Sequence, residues 1–204
     1  MTKNSENGTF AAILLAAGPS TRLGQSKQLV QVNGESLVRK GVRLLQSLQP
    51  KSITVVTGCL AEDVEKEVAD LSVHIAHNRD WAEGMGGSIS CGVRKIPEHV
   101  DGILLMVCDQ WCLETDDVLS LVSSWRSDIS RIYTACWREG EAFVSGPPVL
   151  FPRKLKQELT FVHENRGARQ VIDRHMDIVE FVTIENAAYD LDRPEDLERL
   201  PSRS

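Results

Sequence analysis

Residues 10–28 read Phe10-Ala-Ala-Ile-Leu-Leu15-Ala-Ala-Gly18-Pro-Ser-Thr-Arg22-Leu-Gly24-Gln-Ser-Lys27-Gln28. An apolar run stops at the small-residue turn Ala16-Ala17-Gly18, and Arg22, Gly24 and Lys27 follow within a few positions. A buried strand that ends in a Gly-containing loop brings backbone N–H groups of Leu15, Ala16, Ala17 and Gly18 within reach of an anion. Arg22 offers a bidentate grip on phosphate oxygens and Lys27 a mobile point charge. The stretch therefore reads as a cradle for a triphosphate. A Walker loop is excluded, because Gly24 is followed by Gln25 and no Lys-Ser/Thr pair is present. The plain alternative on local pattern is a glycine turn after a core strand, with two solvated basic side chains.

Working outward, apolar strand-like runs alternate with helix-like stretches. The pattern predicts strands at Phe10–Ala16, Ser52–Thr57, Ser72–Ala76, Gly102–Val107 and Arg131–Cys136. Helices are predicted at Ser36–Leu48, Ala61–Asp70, Gly87–Lys95, Thr115–Ser124, Pro152–Glu158, Ala168–His175 and Pro194–Leu200. This βαβα order implies an α/β fold: a three-layer, doubly wound, mostly parallel sheet of Rossmann-like type. Residues 1–204 are expected to form a single domain with an ordered core over about 9–200. After residue 137, Gly140, Gly146, Pro147 and Pro148 break the pattern, and an excursion over the open face of the sheet is expected there. In such sheets ligands sit beyond the carboxyl ends of the strands. The loops at 17–27 and 108–110 both fall at such ends.

Bulk properties narrow the classes. A 204-residue chain with 42% hydrophobic and 25% charged residues has the composition of a soluble globular domain. Its net charge of −6 argues against a nucleic-acid-binding surface. The five cysteines are odd in number and include no Cys-x-x-Cys pair, which fits free, mostly buried thiols in a reducing cytosol; a cytoplasmic location is expected. Residues 1–8 are polar without a signal-peptide core, and no apolar run approaches the ~18 residues a membrane span needs. Neither a Gly-x-Ser-x-Gly elbow nor a His-x-x-x-His pair is present, which sets aside the common serine and zinc hydrolases. Trp125, Trp137, Phe143 and Phe151 read as core or cover residues, and Trp81 as packing.

Two carboxylates stand out. Asp109 follows the run Ile103-Leu-Leu-Met-Val107, so it lies at the tip of a buried strand. Asp192 lies in Tyr189-Asp-Leu-Asp-Arg-Pro-Glu-Asp-Leu197, just ahead of a proline suited to the first turn of a helix. Magnesium prefers six oxygens at ~2.1 Å and keeps several waters, so two protein carboxylates suffice to hold it. A turn residue for Asp109 and a helix cap for Asp192 are the alternatives. A third segment, Asn78-Arg-Asp-Trp81-Ala-Glu-Gly84-Met-Gly-Gly-Ser88, precedes a helix; its glycines permit close backbone approach, and Ser88 suits a cap or a phosphate contact.

The spacing Leu15-Ala-Ala-Gly18-x3-Arg22-x-Gly24-x2-Lys27 resembles the signature loop of the MobA-like nucleotidyltransferases, and among them most resembles that of the molybdenum cofactor cytidylyltransferases. Leu23 stands where that family usually has Met. Cys108-Asp109-Gln110 and Asp190-Leu-Asp192-Arg-Pro194-Glu-Asp196 resemble the two segments that supply Mg²⁺ ligands in relatives, with Trp111 where relatives commonly carry Pro. The resemblance implies catalytic roles for Lys27, Arg22 and Asp109, and Mg²⁺ on Asp109 and Asp192. It implies nucleotide contacts from Asn78, Gly84 and Ser88. Gly146-Pro147-Pro148 and Glu164-Asn-Arg-Gly167-Ala-Arg169 resemble segments that border the acceptor pocket, which implies acceptor contacts from Gly146, Pro147 and Arg169; Asn165 stands where relatives often have Asp. The activity implied is transfer of a nucleoside monophosphate from a nucleoside triphosphate, CTP, to a molybdopterin-type cofactor, in service of a xanthine dehydrogenase-like recipient. Two alternatives stay open: a sugar- or alditol-phosphate nucleotidyltransferase, and a non-catalytic chaperone for molybdenum cofactor.

Overall fold

The computed structural model describes residues 8–163 and 167–201. Strand β1 (Phe10–Ala16) is buried along its whole length, as a strand covered on both faces must be. It pairs in parallel with β4 (Ile53–Thr57) on one side and β6 (Gly102–Val107) on the other, with Leu14 opposite both Val55 and Met106. Strand β5 (His74–His77) extends the parallel set beyond β4. The seven-stranded sheet runs β5-β4-β1-β6-β8-β7-β9, with β7 at Ile132–Glu139, β8 at Ala142–Pro152 and β9 at Val179–Thr183. Only β8 is antiparallel to its neighbours. A small antiparallel pair, β2 (Gln31–Val32) with β3 (Glu35–Ser36), follows the first loop.

Helices cover both faces, so the doubly wound, mostly parallel, single-domain architecture read from the sequence is what the chain adopts. They are α1 (Leu37–Ser47), α2 (Ala61–Glu67), α3 (Met85–Val93), α4 (Thr115–Ser127), α5 (Lys156–Thr160), α6 (Arg169–Arg174) and α7 (Pro194–Leu197). The alternation of β1 decides the two cores. Phe10, Ala12 and Leu14 join Val42, Leu45 and Trp125 on one face, while Ala11, Ile13 and Leu15 join Ile89, Val93 and Phe151 on the other. Ser36 caps α1 through its hydroxyl, which accepts from the Arg39 N–H at 3.4 Å. Phe10 meets Trp125 edge-on, with ring centroids 6.5 Å apart.

Several expectations need correction. The segment after residue 137 is no excursion over the sheet. It returns as β8, eleven residues long, and inserts between β6 and β7. The prolines that hid this strand sit where the β7–β8 register jumps: Thr134 faces Val149, whereas Ala135 faces Gly146. Pro147 and Pro148 occupy that irregularity, where the missing N–H breaks no ladder bond to β7. Edge strand β9 was not anticipated. Its mixed exposure leaves a weak alternation, and Glu180 on it pairs with Arg131 at 2.8 Å. Phe143 is 57% exposed and packs edge-on against Phe181, 5.1 Å between centroids, so it belongs to no core. The helix expected at 152–158 is a 3-10 turn over Arg153–Leu155 followed by α5, and α7 ends at Leu197. All five cysteines are free; Cys108 and Cys136 are buried and the other three half-buried.

Candidate active site

The loop after β1 and the loop after β6 meet at the carboxyl end of the sheet. Parallel pairing of β1 with β6 forces this, since both strands end at the same level, Leu15 beside Val107. A cleft of about 420 Å³ opens there, and Leu15, Ala16, Ala17, Gly18, Arg22, Lys27, Gly84, Ser88 and Asp109 all line it. Trp81 lines it too while packing on the second core face, so its role extends beyond packing.

Lys27 is not the mobile charge its place in a loop suggests. Its side chain is 18% exposed, and its Nζ bonds the Asp109 carboxylate and, at 3.1 Å, Asp192 Oδ1. Arg22 reaches the other oxygen of Asp192 at 3.0 Å from a side chain that is 68% exposed. Two acids 83 positions apart in sequence thus meet one ammonium group. Burial alone would lower the pKa of Lys27, but the Asp109 carboxylate, and then Asp192, outweigh it and hold the group well above the ordinary lysine value. The ammonium is therefore charged at any physiological pH. Burial pushes the neighbouring Cys108 thiol far up, and Asp109 pushes it further, which makes it an inert neutral side chain. Asp190 is held above the usual carboxylate range by burial first and then by Asp109 and Asp192.

Local structure explains why these groups are available. Asp192 is not the cap of α7. The Asp196 carboxylate accepts the N–H groups of Asp192 (3.0 Å) and Arg193 (2.8 Å), which leaves the Asp192 side chain free for Lys27 and Arg22. The loop after β1 is held by Gln28, a residue that motif reading missed. Its Nε2 donates to the carbonyls of Gly18 (2.7 Å) and Ala16 (3.3 Å), while its Oε1 accepts from Ser26 Oγ at 2.8 Å. Only its position, directly after Lys27, could have signalled this. Gly84 stands at the N-cap of α3 with a φ of 120° that suits glycine, and Gly86 lies so near His163 that a Cβ there would sit 2.6 Å from its carbonyl carbon. Ser88 does not cap this helix; its hydroxyl accepts from Asn78 Nδ2 at 3.0 Å, so Asn78 reaches the cleft through Ser88 and does not line it.

The expected acceptor residues lie apart from the cleft lining. The Pro147 carbonyl accepts from Gln110 Nε2 at 2.7 Å, and Arg169 pairs with Asp173 at 2.9 Å while reaching Ser145 Oγ at 3.2 Å. Gly146 faces the Trp137 ring. Glu164, Asn165 and Arg166 fall outside the described residues. Trp111 meets Tyr189 edge-on at 6.2 Å, and its carbonyl accepts from Lys40 Nζ at 2.6 Å.

The carboxylates fit a divalent cation. Asp109 Oδ1 is buried and accepts no hydrogen bond, a costly state for a carboxylate oxygen that a hard cation would relieve. Among the described residues no three His, Cys, Asp or Glu side chains gather as a ligand set, so the protein offers few donors and a bound ion would keep waters and substrate oxygens. That is the coordination habit of Mg²⁺.

A doubly wound sheet that carries cationic groups and acids beside a strand-end loop is the architecture of a nucleotide-handling α/β protein. Comparison with known proteins makes this specific. The profile of the MobA-like NTP transferase domain matches residues 12–179, and the chain belongs to that family. Bifunctional protein GlmU of Francisella philomiragia is 30% identical over 124 residues, 60% of this chain and 27% of the relative. The match thus spans about a quarter of the length of the curated relatives. The crystal structure of an Rv0371c homolog from Mycobacterium sp. strain JC1 is 25% identical, covers 93% of each chain and superposes with a TM-score of 0.77. Rv0371c of Mycobacterium tuberculosis, solved in complex with manganese, has the same fold at 19% identity and a TM-score of 0.77, over 94% of this chain and 97% of that one. No helix among the described residues is long and apolar enough to cross a membrane.

Proposed function

We propose that this chain is a Mg²⁺-dependent nucleotidyltransferase that moves a nucleoside monophosphate from CTP to the phosphate of a molybdopterin-type cofactor and releases pyrophosphate. The observation that carries the reading is the meeting of Lys27, Arg22, Asp109 and Asp192 over the carboxyl end of β1 and β6. The loop and carboxylate motifs, which resemble those of molybdenum cofactor cytidylyltransferases, support the choice of donor and acceptor. A xanthine dehydrogenase-like enzyme is the recipient this reading implies.

The chemistry follows from the groups present. An acceptor phosphate oxygen attacks the α-phosphorus in line and pyrophosphate leaves. A phosphomonoester has its second pKa at about 6, so the attacking oxygen is already ionised near neutrality and no general base is required. Lys27 and Arg22 bind the triphosphate and neutralise the charge that grows on the leaving pyrophosphate. To do so Lys27 exchanges a carboxylate partner for a phosphate oxygen. The backbone at Ala16–Gly18, fixed by Gln28, holds the phosphates at reacting distance. Gly84, Ser88 and, through Ser88, Asn78 shape the wall that meets the nucleoside. Asp109 and Asp192 hold the divalent ion, which supplies further charge neutralisation when bound. Gly146, Pro147 and Arg169 border the acceptor.

The test is pyrophosphate release measured with CTP, GTP, ATP and UTP in turn, each with a molybdopterin-type acceptor and with sugar and alditol phosphates. Release with CTP and the molybdopterin-type acceptor is expected. Turnover confined to a sugar or alditol phosphate would replace the acceptor reading. Acceptor binding without any release would make the protein a carrier instead of an enzyme.

A further inference from the structure

Resting on the metal-dependent reading above, we propose that Gln110 is a positioning residue that sets the separation of the Asp109 and Asp192 carboxylates. The two acids come from segments with no extended pairing. Apart from the Lys27 ammonium that both carboxylates share, what joins their backbones is a single antiparallel bridge, Gln110 with Asp190, and one bond beside it, the Leu191 N–H to the Asp109 carbonyl at 3.0 Å. A bridge of one residue pair has no ladder on either side to fix its register, so something else must hold it.

Gln110 supplies that hold from its side chain. The residue is 8% exposed, and its Nε2 spends both N–H groups on main-chain carbonyls of two separate segments: Pro147 in β8 at 2.7 Å and Ala187 at 2.8 Å. Ala187 belongs to the 3-10 turn Glu185–Ala188, three residues ahead of Asp190. One amide therefore ties the end of β6, the middle of β8 and the approach to Asp192. A methionine of similar length would fill the volume but tie nothing, and both carbonyls would lose their donor. Gln110 bonds neither carboxylate, so it acts through the backbone that carries them. Outer groups of this kind typically change metal affinity by about 10–100-fold when removed.

The phosphate loop depends on a different glutamine, Gln28, and makes no hydrogen bond to Gln110. Loss of Gln110 should thus weaken metal binding and leave triphosphate binding alone. Free Mn²⁺ is titrated against the full chain, without nucleotide, and followed by electron paramagnetic resonance in wild type, Gln110→Met and Gln110→Glu. A weakening of about tenfold is expected in Gln110→Met. Its kcat should fall and return towards wild type as Mn²⁺ is raised, while KM for the triphosphate stays within about twofold. Gln110→Glu keeps length and volume and breaks the same two ties while adding a charge that by itself favours a cation, so a weakened Mn²⁺ affinity in it is the stricter reading should the methionine variant fail to fold. A folded variant with unchanged Mn²⁺ affinity, or a kcat loss that added metal does not restore, overturns the positioning role. Asp109→Asn serves as the reference: if it too leaves Mn²⁺ binding untouched, the metal reading itself fails, whatever Gln110 does.

Discussion

Two clefts of similar size open at opposite ends of the sheet, and they differ in what faces into them. The one at the carboxyl end measures about 420 Å³ and the one at the amino end about 460 Å³. The second is walled by Gln46, Gln49, Lys51, Ser52 and His74 among others, with no carboxylate in its lining. The first is lined by Arg22, Lys27 and Asp109, and in a smaller adjoining cavity Asp192 pairs with the same two cations. Volume therefore does not distinguish a site from a dent. Convergence of charged groups that burial would otherwise penalise does, because such an arrangement raises the energy of the empty protein and persists where a ligand repays it.

This contrast can be broken at its strong end first. Asp109→Asn should reduce pyrophosphate release by about three orders of magnitude, with near-ultraviolet circular dichroism unchanged. Activity that survives would remove the carboxylate from the chemistry. Lys27→Arg keeps the charge but replaces a compact ammonium, seated on two acids, by a wider planar fork. A loss of about 100-fold in kcat is expected, with the melting temperature close to wild type; Lys27→Ala is a poorer probe because it leaves two half-buried carboxylates without their shared partner. At the amino-end cleft, Ser52→Ala removes a buried hydroxyl that has no hydrogen-bond partner. Turnover should not change, and stability should hold within about 0.5 kcal/mol or rise; any kinetic effect would make the second cleft a site after all.

The smallest effect concerns a charge pair outside both clefts. The Arg39 guanidinium hydrogen-bonds Asp70 at 2.6 and 2.8 Å and holds its carboxyl down at about 2, below the ordinary 3.8. A carboxyl whose folded pKa is depressed stabilises the fold above its unfolded value, and that contribution fades as pH falls from 3.8 towards 2. Asp70→Asn should flatten the acid limb of the unfolding curve in that window and lower stability at neutral pH by the same small amount, since Asp70 is 66% exposed and water screens the pair. An acid limb as steep as that of the wild type would contradict this.

The parallel half of the sheet was readable because β1, β4 and β6 are mostly apolar, buried runs that stop at loops, and a loop at the end of a parallel strand has one possible side to face. Strand ends alone thus bring the loops of Lys27 and Asp109 to one side, and the proline after Arg193 puts Asp192 at a helix entrance. The antiparallel half resisted. Pro147 and Pro148 are breakers in any local rule, and only the register jump opposite Thr134 and Ala135 explains how a strand accommodates them. The two bracing glutamines were also out of reach. A glutamine that bonds two carbonyls from different segments leaves no trace in spacing, because the partners are set by tertiary approach. The same holds for Asn78, which bonds a serine ten residues on instead of facing the cleft.

Strand β8 runs backwards relative to the six others, and this has an evolutionary corollary. Its turn with β7, at residues 140–141, projects from the same edge as Asp109, because β7 runs parallel with β6 in the sheet. A hairpin tip tolerates insertion and exchange far better than a crossover does. Variation can therefore accumulate at the end of the sheet where Lys27, Asp109 and Asp192 meet without touching the scaffold that brings them together.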